Sequence, residues 1–79
     1  MEYLHHEVIS YCTVFELKLS QDELEVYESC LKYILENCND EIIYQITGCR
    51  KTELNSWHSE LKEMILKYVR KDLLPDKYK

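Results

Sequence analysis

A mainly α, three-helix domain preceded by one N-terminal β-strand is the fold class that this sequence predicts, and three observations predict it. Leu19 to Asn39, LSQDELEVYESCLKYILENCN, opens on a capping signature and continues with apolar residues at helical spacing. Residues 54–73 carry a second apolar stripe ahead of the only proline, Pro75. Between Glu2 and Leu19, by contrast, the run VISYCTVFELKL is rich in β-branched and aromatic residues. With one glycine and one proline in 79 residues there is little room for linkers, so the chain reads as a single domain, 1–79.

Taken in order, residues 1–19 form the strand segment. From Ile9, the alternation Ile9, Tyr11, Thr13, Phe15, Leu17 against Ser10, Cys12, Val14, Glu16, Lys18 gives a strand one apolar face. The competing reading is a helix over residues 3–15, since Leu4, Val8, Tyr11 and Phe15 share a helical face; the poor helix propensity of the run favours the strand. Nothing between Tyr3 and Lys18 resembles the Asn-Gly or Asp-Gly turn of a tight hairpin. A lone strand must pair its backbone groups elsewhere, so the expectation is a homodimer in which the strand meets its copy across a two-fold axis, the alternative being contact through the far end of the third helix.

The first helix, residues 20–39, starts at Ser20 with Glu23 three residues on, a capping box, and Leu19 and Leu24 make the staple around it. Its predicted core face is Leu24, Tyr27, Leu31, Ile34, Leu35 and Cys38, widened at one side by Val26, Cys30 and Tyr33. Asn37, Asn39 and Asp40 break that helix and cap the next, a short one from about Glu41 to Thr47 that stops at Gly48. The third helix is led in by Arg50, Lys51 and Thr52. Its stripe is Leu54, Trp57, Leu61, Met64, Ile65 and Tyr68, and residues 62–79 hold its extension and a tail ending in DKYK.

Composition bounds the function. No apolar run approaches the roughly 18 residues of a membrane span, and MEYLHHEVIS lacks the basic start of a signal peptide, so the expected location is cytoplasmic, with no membrane partner. Cys12, Cys30, Cys38 and Cys49 show neither a CxxC pair nor zinc-ribbon spacing, and His5, His6 and His58 do not pair with them. They are expected to be reduced and mostly buried, with no metal and no cofactor. Cys49, close to a helix start beside Arg50 and Lys51, is the one thiol with a case for reactivity; the duller alternative is a buried contact after the turn. No glycine-rich nucleotide loop, GxSxG or HExxH is present, and no nucleophile, base and oxyanion donor can be assembled, so the chain is not read as an enzyme.

Residues 40–61, DEIIYQITGCRKTELNSWHSEL, resemble the motif of helix-turn-helix DNA-binding proteins. Gly48 takes the place of the turn glycine, Ile43 and Ile46 face the core from the first motif helix, and Leu54 and Trp57 seat the second. The resemblance implies a helix-turn-helix-like bundle acting as a transcriptional regulator by occupying a site on double-stranded DNA. It also implies the DNA-facing residues: Arg50, Lys51, Thr52, Asn55, Ser56 and Ser59. Arginine can pair with guanine and asparagine with adenine, while lysine, threonine and serine can hold phosphates. A strand before helices is also similar to ribbon-helix-helix repressors, but outward Glu16 and Lys18 fit phosphates poorly.

The charge distribution supports an alternative. The net charge is −5; residues 1–39 hold two lysines against eight carboxylates, whereas residues 40–79 hold eight basic side chains against seven acidic ones. An acidic protein–protein interaction or inhibitor module could keep the same scaffold and meet a basic protein partner through Glu16, Asp22, Glu25, Glu28 and Glu36.

Overall fold

The computed structural model describes residues 1–79 and places two strands ahead of three helices. Strands β1 (Glu2–Ile9) and β2 (Cys12–Lys18) pair antiparallel, followed by helices α1 (Gln21–Asn37), α2 (Asp40–Thr47) and α3 (Lys51–Tyr68). Two single-turn 3-10 segments, Lys71–Leu73 and Asp76–Tyr78, bring the chain back to α1, where Gln21 Nε2 donates to the Leu73 carbonyl and Lys77 Nζ to Ser29 Oγ. The molecule is flat, 41 × 34 × 17 Å, and α1 against α3 is its main helix pairing.

The mainly helical expectation holds, but the single strand paired across a dimer is corrected. The partner of β1 is β2 of the same chain, in a register that runs from Glu2 opposite Lys18 to Ile9 opposite Cys12. The turn is Ser10–Tyr11, with Ser10 at φ 56°. A serine there costs about 1–2 kcal/mol relative to glycine, which the strand pairing offsets.

Local signals account for the helix boundaries. At α1 the Ser20 hydroxyl accepts the Glu23 N–H at 3.2 Å, and the Glu23 carboxylate accepts the Ser20 N–H, also at 3.2 Å. Asn39 Oδ1 accepts the Ile42 N–H at 2.9 Å to start α2. Gly48, at φ 75° and ψ 2°, ends α2 in the left-handed region and leaves a three-residue turn before α3. No helix is long and apolar enough to cross a membrane.

The core is thin. Ile43 on α2 and Leu54 and Ile65 on α3 are the buried apolar side chains, flanked by half-buried Leu24, Leu31, Ile34, Leu35, Leu61 and Val69. Several residues expected inside are corrected: Tyr27, Trp57, Met64 and Tyr68 are exposed, and Ile46 is 66 % exposed. In their place α1 buries Glu25 and Glu28, and α3 half-buries His58. Both helices have therefore turned about their axes relative to the predicted stripes. The inward rows are Leu24, Glu28, Leu31, Leu35 and Leu54, His58, Leu61, Ile65, each at 3–4-residue spacing. The cysteines are corrected as well: none is buried, Cys12 and Cys30 are exposed, and Cys38 and Cys49 are half-buried.

Candidate functional site

The leading end of α3 brings the predicted DNA-facing residues together in part. Thr52, Asn55, Ser56 and Ser59 are exposed and fall on one helical face, and Arg50 and Lys51 stand exposed at its start. Arg50 makes no side-chain cap to α3. That role passes to Asp40, at the start of α2: its Oδ1 accepts the Lys51 N–H at 2.8 Å, and its Oδ2 lies 3.5 Å from Arg50 Nη1. The Arg50 guanidinium also lies over the Tyr44 ring, 4.2 Å from its centroid.

A carboxylate of the chain therefore occupies the position at the helix start where a phosphate would be held. The adjoining open cleft, about 710 Å³, is lined by Leu35, Glu36, Asp40, Arg50, Lys51, Thr52 and Asn55. Two carboxylates there balance two cations, so the ground is electrically neutral.

The acidic set proposed to meet a basic partner is only partly available. Glu16, Asp22 and Glu36 are exposed, but Glu25 and Glu28 are corrected to buried positions, 8 % and 3 % exposed. Within α1, Gln21 Nε2 donates to Glu25 Oε2 at 2.6 Å, and His58 Nε2 donates to Glu28 Oε2 at 3.1 Å, joining α1 to α3. Neither carboxylate is offered to a partner, and the Glu28–His58 pair links the two helices.

Tyr78, at the end of the tail, completes this polar cluster. Its hydroxyl is shielded from solvent and has no partner at hydrogen-bonding geometry. Burial raises its pKa well above the ordinary tyrosine value, and the nearby Glu28 and Glu25 carboxylates raise it further, against a smaller opposing effect from Ser29. Because the folded-state pKa lies above the unfolded value of 10.0, the neutral phenol's contribution is fully present below pH 10 and is lost as pH rises beyond it. Urea titrations above pH 10 are expected to show wild type losing stability more steeply than Tyr78→Phe; superimposable pH profiles would contradict this placement of the hydroxyl.

The hairpin presents a different kind of surface. Every residue of β1 and β2 is exposed. The only hydrogen bond or ion pair from residues 1–18 to the helices joins the Met1 ammonium to the Glu23 carboxylate. That ammonium is the main cause, with the Ser20 N–H second, that holds the Glu23 pKa below the usual glutamate value.

Within the ribbon, an irregularity at Leu4 shifts the register between Tyr3 and His5. Cross-strand partners share a face, so the shift places Glu2 with His5, Glu7, Glu16 and Lys18 on one side. Tyr3, His6, Val8, Thr13, Phe15 and Leu17 take the other. The shift thus collects every carboxylate and the lysine of the ribbon on one face. The opposite face has no carboxylate or lysine and is knit by its aromatic rings, with His6 5.6 Å from Tyr3 and 6.0 Å from Phe15, centroid to centroid, and with the Tyr3 hydroxyl bonded to His6 Nδ1. A straight alternation hides this pattern from the sequence. Comparison with family models, with curated proteins and with solved structures gives no match for this chain.

Proposed function

We propose that this chain is a protein–protein interaction module that acts by binding, without catalysis. The observation that carries this reading is the uncovered surface. The chain exposes 6398 Å² at a mass of 9.6 kDa, whereas the area scaling of folded monomers gives about 5,100 Å². The excess, about 1,300 Å², exceeds the ~800 Å² that each partner contributes to a standard interface. It includes large apolar side chains: Val8 is 68 % exposed and Phe15 60 % on the hairpin, and Val26 and Tyr33 stand uncovered along one shoulder of α1. Surface of this kind on a small chain is a site for another protein.

Site occupancy on double-stranded DNA is the second reading, favoured by the uncharged exposed row Thr52, Asn55, Ser56 and Ser59. Against it stand the Asp40 cap, the neutral cleft and the net charge of −5. Two measurements separate the readings. Titration of a random-sequence duplex between about 50 and 200 mM salt is expected to show no salt-dependent binding. Affinity purification from the native cell is expected to retain a protein in fixed stoichiometry, either a second copy of the chain or another species. Duplex binding that falls with salt and is abolished by Arg50→Ala or Asn55→Ala, with no protein retained, overturns the proposal in favour of DNA.

A further inference from the structure

We infer that residues 70–79 form a strap that opens from α1 while the three helices stay folded, and that the shielded Tyr78 hydroxyl sets the balance between the closed and open states. The inference does not depend on the interaction-module reading, although it bears on one of the surfaces named there.

The strap is built to move as a unit. Val69 and Arg70, both in extended conformation, join it to the end of α3. Its four backbone hydrogen bonds, from the N–H groups of Leu73, Leu74, Tyr78 and Lys79, end on the carbonyls of Arg70, Lys71, Pro75 and Asp76. Its two ion pairs, Arg70 with Asp72 and Lys79 with Asp76, are likewise internal. Opening therefore breaks none of them.

Little holds it closed. Two hydrogen bonds reach α1, from Gln21 Nε2 to the Leu73 carbonyl at 3.1 Å and from Lys77 Nζ to Ser29 Oγ at 2.6 Å. Both lie where water can replace them. No residue of the strap is buried; half-buried Leu74, Pro75 and Tyr78 are its apolar hold on the helices.

One group opposes closure. The Tyr78 hydroxyl is shut off from solvent without a hydrogen-bond partner. Its polar neighbours are already engaged, Glu28 with His58, Glu25 with Gln21 and Ser29 with Lys77. In the open state water hydrates the hydroxyl, so each closing event forfeits that hydration. A segment with few ties and one unmet donor belongs to the low-stability end of the molecule, where local opening precedes global unfolding.

Opening also remodels a surface. The cleft of about 530 Å³ along the exposed shoulder of α1 is lined by Val26, Ser29, Cys30, Tyr33 and Ile34 of that helix, and Lys77 is its one wall from elsewhere. The closed strap thus supplies the only charge in the cleft, and the open strap takes it away. A protein seated on this shoulder against Lys77 shifts the strap towards closure.

The test is trypsin cleavage of the native full chain after Arg70, with cleavage after Lys62, inside α3, as the measure of global unfolding. Wild type is expected to be cut after Arg70 at a rate that changes little with urea below the unfolding transition, while cutting after Lys62 rises with urea. Tyr78→Phe, which removes the unmet hydroxyl and keeps the ring, is expected to slow cleavage after Arg70 at least ~5-fold. Tyr78→Glu, which sets a third carboxylate beside Glu25 and Glu28, is expected to speed it at least ~10-fold with helical circular dichroism retained. Cleavage after Arg70 that rises with urea in step with that after Lys62 overturns the strap. A Tyr78→Phe rate equal to or above wild type, or a Tyr78→Glu rate that does not rise, overturns the role given to the hydroxyl. None of these results bears on whether a protein is retained on purification, so the strap and the interaction-module reading fail separately.

Discussion

Ile43→Ala is expected to lower the urea midpoint further than any other single truncation in α2, by a loss of about 2–5 kcal/mol. Ile43 is 0 % exposed and is the only buried residue of α2, the shortest of the helices. A chain of this length has a total stability of roughly 4–12 kcal/mol, so the loss takes a large share of it. The consequence spreads beyond the cavity. When α2 loosens, Asp40 leaves the start of α3, and the Lys51 N–H and Arg50 both lose their partner. Ile46→Ala is the matched control: same helix, same substitution, a side chain 66 % exposed, and an expected change within about 0.5 kcal/mol. Equal midpoint shifts for the two would show that α2 is not held by Ile43.

His58→Ala is the second large effect, expected to cost about 3 kcal/mol. The cost comes less from the imidazole than from Glu28, 3 % exposed, whose carboxylate would be left between α1 and α3 without the Nε2–H donor at 3.1 Å. Removing both ends of the interaction tests that cause. The double variant Glu28→Leu, His58→Leu continues the leucine rows already formed by Leu24 and Leu31 on α1 and by Leu54 and Leu61 on α3. It is expected to be as stable as wild type or more so, since a buried polar pair is often replaced by apolar residues without loss. A double-mutant cycle read by urea unfolding measures the coupling directly. A His58→Ala cost below about 1 kcal/mol, or a double variant worse than either single one, would contradict this account of the pair.

Both predictions come from features that the sequence shows only in part. Ser20 with Glu23, Asn39 and Gly48 were legible because each signal is complete within three or four residues and needs no tertiary information. The inward faces of α1 and α3 were not, because both helices are apolar around much of their girth, so period alone does not choose between Tyr27 and Glu28 or between Trp57 and His58. The choice is made by packing, and the clue lay in the spacing: Glu28 and His58 each sit four residues after a leucine and three before another. The hairpin was hidden by its turn, since Ser10–Tyr11 carries none of the usual glycine or asparagine signal and Ser10 is held at positive φ by the strands it joins. At the start of α3, the exposure of Arg50, Lys51, Thr52 and Asn55 followed from the helical pattern. The capping of the Lys51 N–H and the pairing of Arg50 by Asp40 did not, because Asp40 lies 11 residues before Lys51 in sequence and meets it only once α2 has folded back.

Amide hydrogen exchange of the wild-type chain, free and in the affinity-purified complex, tests most directly whether this molecule meets a protein through its uncovered surface. Protection of residues 2–18 or of the Val26–Tyr33 shoulder of α1 that rises in the complex, while the start of α3 stays unchanged, is the result this account predicts. Amides that exchange equally in both states, or protection that rises instead at the start of α3 on adding duplex DNA, would contradict it.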